Sequence, residues 1–444
     1  MCEVSYRVTM MRKREGYMKK ILISLMFVVS FMMVSCGGDT SDTGNTGNTG
    51  DTGNTGDTEK PDDPATDDPT FSDEKVNDTT DNEITDEDSC IPDCSGRVCG
   101  DDRCGGSCAP GCNETIETCT LEGQCETKPE CTVPSDCADK EWCNTEHCEC
   151  QSGFIKSGTT CVAVTVTPFD ARTKTEVCAK YNSEYGDLAI SSIPSTTTAV
   201  CDAGELGWDH INDAIRRLNL YRWLVGIGPS YSVESYNTQS QEAAMMMDVN
   251  NSLSHAPPTS WSCYTTVGAS AAGQSNLGLG YYTPSSTVDG YVIDNGNENT
   301  LGHRRWLLSP SLGKVGIGHS GRGNAMLVFS GGGANDVGND PDFVAYPSAG
   351  YYPVEMTGGL WSITLIRGSY SGTLSATVEQ LSNGTNLANV VTRMPDGYGD
   401  SSTISIKFTG TVPQAGQEYR VTVNGVSLNG ESFLSYVVKL VSCQ

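Results

Sequence analysis

Histidine is scarce in this 444-residue chain, with five in all, and basic side chains are few, with 28 Lys and Arg against 55 Asp and Glu. That shortage excludes a nucleic-acid surface, because no basic patch is left to neutralise phosphates. No apolar run approaches the roughly 18–20 residues that a membrane-crossing helix needs; the longest, Ile21 to Val34, has about 14. Neither G-x-S-x-G nor H-E-x-x-H occurs, so the commonest local signatures of serine and zinc hydrolysis are missing.

That short apolar run has a meaning of its own. Lys19 and Lys20 precede it and Ser35-Cys36-Gly37 ends it, the layout of a signal peptide over residues 1–35. A cysteine directly after the cleavage site resembles a bacterial lipobox, which implies lipidation of Cys36 and anchoring to a membrane through that lipid. Met33 stands where leucine is usual, and an uncleaved anchor is the competing reading. Gly37 lacks the Asp of an inner-membrane retention signal, so the expectation is an outer-membrane or cell-surface lipoprotein.

Acidic charge is concentrated next to it. The stretch 37–89 holds 17 Asp or Glu but only Lys60 and Lys75, which gives −15 of the total −27, and it repeats Thr-Gly-Asn/Asp. Such composition buries too little apolar surface to offset the entropy of ordering, so residues 36–89 read as a disordered tether reaching about 40 Å.

Cysteine is plentiful: 20 in all, 14 of them between residues 90 and 161. In a short exported segment this density means a disulfide framework in place of an adequate core; zinc binding by the thiolates is the weaker alternative. Eight fall in a Gly-rich module, 90–127, and six in a second, 128–162. In the second, the Cys148-x-Cys150 pair and Gly153-Phe154 before Cys161 resemble an EGF-like domain. That resemblance implies Cys131–Cys143, Cys137–Cys148 and Cys150–Cys161, whereas sequence alone leaves the connectivity open. Both modules read as spacers or contacts. Outside them, Cys178 with Cys201 is the expected local bridge, and Cys263 with Cys443 a staple for the last strand.

After a connecting segment, 163–205, the composition becomes globular. Ile211, Ala214, Ile215, Leu218, Tyr221 and Leu224 repeat at helical spacing over 209–226, stopped by Gly226 to Pro229. A second helix is expected over about 233–250, with Met245 to Met247 as core, and a third over 285–294, delivering Asp294 near its end. Val315 and Ile317 alternate, and Ala325 to Phe329 follow, which reads as a β-hairpin with His303 just ahead of the sheet.

These segments together resemble the CAP superfamily (cysteine-rich secretory proteins, antigen 5 and pathogenesis-related 1 proteins). Ile215, Asn219, Arg222, Gly226 and Pro229 fall at the spacing of its L-x-x-x-N-x-x-R-x-x-x-G-x-x-P. Asn276-Leu277 resembles the end of G-E-N-[IL], Tyr291 to Asp294 lines up with W-Y-N-E, Gly302-His303 with G-H, and Val315 to Gly318 with V-G-C-G. The resemblance covers about 206–332 and implies an α-β-α sandwich over 206–340, with a cleft formed by His255, Ser275, Asp294 and His303. Ser275 stands where the family's first acidic residue is expected. His255, Asp294 and His303 would then be the set left to hold zinc or another divalent ion, with lower affinity for the missing charge; hydrogen bonding among them is the alternative. Ser275 with a histidine supplies the residue types of a hydrolase, but a serine replacing a carboxylate reads as a lost ligand. Arg304 and Arg305 read as surface ion pairs, with a bidentate clamp on an anionic ligand as the alternative.

In the last hundred residues, 361–365, 374–378, 404–408, 419–423 and 436–441 alternate or run apolar between turn signals. This is the pattern of an immunoglobulin-like β-sandwich over 341–444. The fold expectation is thus multidomain: disulfide modules, an α+β domain, and an all-β domain. The function expected is non-enzymatic recognition of an extracellular lipid, glycan or protein. The alternative is a metal-dependent or serine hydrolase of peptides or cell-wall material.

Overall fold

The computed structural model describes residues 92–114, 117–144, 146–164, 169–329 and 341–444. The signal segment 1–35, the lipid site Cys36, the tether 36–89 and Cys90 lie outside them. No helix among the described residues is long and apolar enough to cross a membrane.

Among the described residues six α-helices form: α1 (Lys174–Glu184), α2 (Trp208–Leu224), α3 (Glu234–Val249), α4 (Thr266–Ala272), α5 (Pro284–Ile293) and α6 (Gly302–Leu307). Between them lies a four-stranded sheet in the order Tyr231–Ser232, Lys314–Ser320, Gly323–Leu327, Ser275–Leu279. The first pair is parallel and the others antiparallel. The alternation at 315–318 divides the layers. Val315 and Ile317 join a core with α2 and α5, while Ala325, Leu327 and Leu277 pack with α3 and α4. At Gly316 and Gly318 an added Cβ would collide with the α3 backbone around Tyr236 and Ser240. The Val-Gly-Ile-Gly segment is therefore a helix-packing device: only glycine lets α3 lie this close to the sheet.

Two further sheets make up the C-terminal region. One runs Phe343–Tyr346, Leu360–Leu365, Thr403–Phe408, Asn389–Arg393; the other Gly350–Pro353, Glu431–Val441, Glu418–Leu428, Ser369–Gln380, Thr385–Asn386. The apolar core does not stop at the boundary with the α-β-α layers. Tyr221 and Leu224 of α2 belong to one cluster with Tyr346, Tyr352, Trp361 and Ile363.

The second cysteine module is docked on the α-β-α layers. The Gln151 side chain is buried and acts as a strand mimic, its Oε1 accepting from Ser232 N (2.9 Å) and its Nε2 donating to Ser232 O (3.1 Å). Asn219 of α2 donates to Ser152 O at 2.6 Å, and Phe154 meets Tyr231 edge to face. The bridges in this module are Cys131–Cys143, Cys137–Cys148 and Cys150–Cys161; the first module holds Cys94–Cys108, Cys99–Cys119 and Cys112–Cys125.

Elsewhere the expected bridges are corrected. Cys178 pairs with Cys443, and Cys201 with Cys263. Short separation suggested a Cys178–Cys201 link. Instead α1 carries Cys178 to the end of the last strand, where Cys178 Sγ also approaches the Ser442 carbonyl, and leaves Cys201 beside the loop before α4. The segment 163–205 is accordingly more than a connector.

Gly318→Ala is expected to lower unfolding stability by about 1–3 kcal/mol through forced separation of α3 from the sheet. Urea denaturation of the disulfide-intact protein measures it; an unchanged midpoint would show that the contact is not tight.

Candidate functional site

Asp294 follows the end of α5 with left-handed backbone, φ 58, a conformation that Asp tolerates better than most residues. The turn aims its carboxylate, fully buried, back at α6: Oδ1 takes His303 Nδ1 at 2.9 Å and Asn297 Nδ2 at 3.2 Å, and Oδ2 takes Arg304 N at 3.3 Å. His303 sits in the first turn of the short helix α6, ahead of the strand Lys314–Ser320. A carboxylate at Nδ1 places a proton on that nitrogen, so that in the neutral ring Nε2 is the acceptor.

His255 is pinned in the same sense, its Nδ1 against the Ala272 carbonyl at 2.9 Å. His255, Ser275 and His303 line one cavity of about 550 Å³. Asp294 lies behind His303 and is not part of the wall. Ser275 is buried, and its hydroxyl donates to the Ala271 carbonyl at 2.7 Å. None of its hydrogen bonds among the described residues runs to either histidine, so no nucleophile–base contact exists there.

The three residues expected to hold zinc do not fit that role. Among the described residues, groups of three candidate ligand atoms within 4.8 Å of one another occur only in the cysteine modules. The cysteines of those groups are all in disulfides. His255, Asp294 and His303 form no such group, and the Asp294 oxygen nearest His303 is engaged in orienting the ring. No cofactor is established for this cleft.

Four aromatic residues around the site were not among the site residues read from the sequence. Trp306 and Phe329 line the cavity with ring centroids 4.1 Å apart, Tyr398 reaches it from the C-terminal region, and Tyr291 lies under His303 at 5.0 Å. The Tyr291 hydroxyl shares its one proton between Asn324 Oδ1 (2.7 Å) and Asn276 O (3.0 Å), and Asn324 Nδ2 meets His319 Nδ1 at 3.2 Å. Asn276 in turn donates to the His303 carbonyl. A buried polar chain thus supports the cleft floor from beneath.

Arg304 and Arg305 are buried rather than surface ion-paired, at 1% and 3% exposure. Arg304 donates to Val292 O (2.6 Å), Ile293 O (2.9 Å), Leu360 O (2.9 Å) and Ser362 Oγ (3.1 Å), and its guanidinium lies over the Tyr346 ring. Arg222 is likewise buried and holds the Leu307 carbonyl at the end of α6 and the Ser309 and Leu312 carbonyls beyond it. These arginines fix where His303 stands.

Burial pulls His319 down to a pKa of about 4 from its usual value of 6.5. The unfolded chain therefore binds a proton that the folded chain refuses. Stability should be full above pH 6.5 and fall by on the order of 3 kcal/mol as pH drops to 4. His319→Gln should flatten that part of the urea-midpoint profile; an identical slope in the variant would remove His319 as its source.

No curated protein matches this chain. Residues 215–330, the stretch from within α2 through α6 and the central sheet, match the model of the Cysteine-rich secretory protein family (CAP), and this part of the chain is similar to that family.

Proposed function

We propose that the chain is a surface-anchored extracellular binding protein that recognises a lipid, glycan or protein through the cleft between His255 and His303, without catalysis. The carrying observation is the state of the cleft's polar groups. Both histidines are locked at Nδ1, and Ser275 gives its hydroxyl to a main-chain carbonyl. Groups held this way present a fixed pattern of acceptors, which suits recognition. The match at 215–330 and the eight described disulfides support an extracellular interaction role, since such bridges persist in oxidising compartments. The lipobox-like Cys36 and the acidic segment after it supply the anchor and tether of this reading, with the second cysteine module as an EGF-like contact and the C-terminal sheets as an immunoglobulin-like sandwich.

One observation favours the hydrolase reading. An Asp–His pair with a free Nε2 is the arrangement that prepares a general base, and water could be its nucleophile. The two readings separate in a turnover assay of the purified full chain on a fluorogenic peptide library and on bacterial cell-wall sacculi. The binding account expects no turnover above that of His303→Ala and no effect of Ser275→Ala. Release of product by the native chain that either substitution abolishes would overturn it.

A further inference from the structure

We propose that Tyr398, carried on a loop of the C-terminal sheet region, is a ligand-contacting wall of the cleft, and that the ligand is a neutral glycan. This rests on the binding reading above and narrows it.

The position of Tyr398 is built rather than incidental. Arg305, two residues after His303, donates to Pro395 O at 2.7 Å and Asp400 O at 2.9 Å, gripping both ends of the loop. Gly399 has φ 53, and an added Cβ there would stand 2.5 Å from the Arg305 carbonyl oxygen. Only glycine allows the loop to lie so close to α6. Tyr398 then packs on Gly302, where an added Cβ would come within 2.8 Å of its ring, next to His303. About two fifths of Tyr398 stays exposed, at 38%, on the cavity that His255 and His303 line. The ring is a fixed ledge contributed by a different part of the chain.

The chemistry of the walls selects the ligand. Among the described residues no Asp, Glu, Lys or Arg lines this cavity. A fatty acid, phospholipid or sulfated glycan would bring an anion with no Lys or Arg on the wall to receive it, and a basic peptide a cation with no carboxylate there. A wholly apolar ligand would cover the Asn295 amide and the Nε2 atoms of the two imidazoles without partners, at a cost of about 1–3 kcal/mol for each group left unpaired. A neutral sugar satisfies both kinds of wall. The C–H face of its pyranose ring lies on Tyr398 or on the Trp306–Phe329 pair, and its hydroxyls meet amides and imidazole. The volume, about 550 Å³, lies within the range of roughly 300–1,000 Å³ usual for small-molecule sites.

Titration calorimetry on the purified full chain tests this with maltotriose, cellotriose, N-acetylchitotriose and mannotriose, beside a heparin-derived hexasaccharide and palmitate. One neutral triose is expected to bind saturably, with affinity lowered about tenfold in Tyr398→Ala, close to native in Tyr398→Phe, and lost in His303→Ala. Should Tyr398→Ala unfold, Tyr398→Leu keeps an apolar side chain on Gly302 and removes the flat ring. Triose binding that Tyr398 substitutions leave intact but His303→Ala abolishes would refute the Tyr398 wall and spare the cleft. Binding of palmitate or the heparin fragment in place of every neutral triose, or no triose binding at all, would refute the glycan assignment. Triose binding indifferent to His303→Ala would refute the cleft reading itself.

Discussion

A buried guanidinium holds this molecule's working parts in register. Arg304 sits between α5, α6 and the strand Leu360–Leu365, with its donors on three main-chain carbonyls and a hydroxyl. A charge so deep is tolerable only because its hydrogen-bonding groups find fixed partners. The consequence is positional. The residue before it, His303, faces the cleft, and the residue after it, Arg305, grips the loop that carries Tyr398. Three consecutive side chains of one short helix therefore tie an imidazole, a core and a second sheet region into one piece.

Other contacts extend the same logic. Arg222 secures the chain leaving α6, and Asn219, one turn earlier on α2, reaches the second cysteine module. Gln151 completes the sheet edge at Ser232. The Cys178–Cys443 bridge ties α1 to the chain terminus. The second cysteine module and the C-terminal sheets belong to the same scaffold as the α-β-α layers, and the C-terminal region reaches the cleft through Tyr398.

Much of the framework was legible from residue pattern. Apolar periodicity located α2, α3 and α5 closely, and alternation located the hairpin around Val315 and most of the C-terminal strands, because each of these buries a regular face. Helix α6 was not legible: six residues show no period, and it forms because Arg304 and Arg222 hold it. Helix α1 buries only Val177 and Tyr181, which is too faint a stripe to read. The long-range bridges failed for a plain reason, since separation along the chain says nothing about which ends the folded layers bring together. At the site, His255 and His303 were readable from scarcity and spacing, whereas Tyr398, on a distant loop, was not. The one signal pointing to it was Arg305, read as a surface residue and found buried against that loop.

The central claim is that the α-β-α layers and the C-terminal sheets fold as one cooperative unit around Arg304. Scanning calorimetry of the disulfide-intact chain measures this directly. The account predicts a single transition for this unit, with calorimetric and van't Hoff enthalpies in agreement, which divides into two in Arg304→Leu. Two separable transitions in the native chain, unmoved by the substitution, would contradict it.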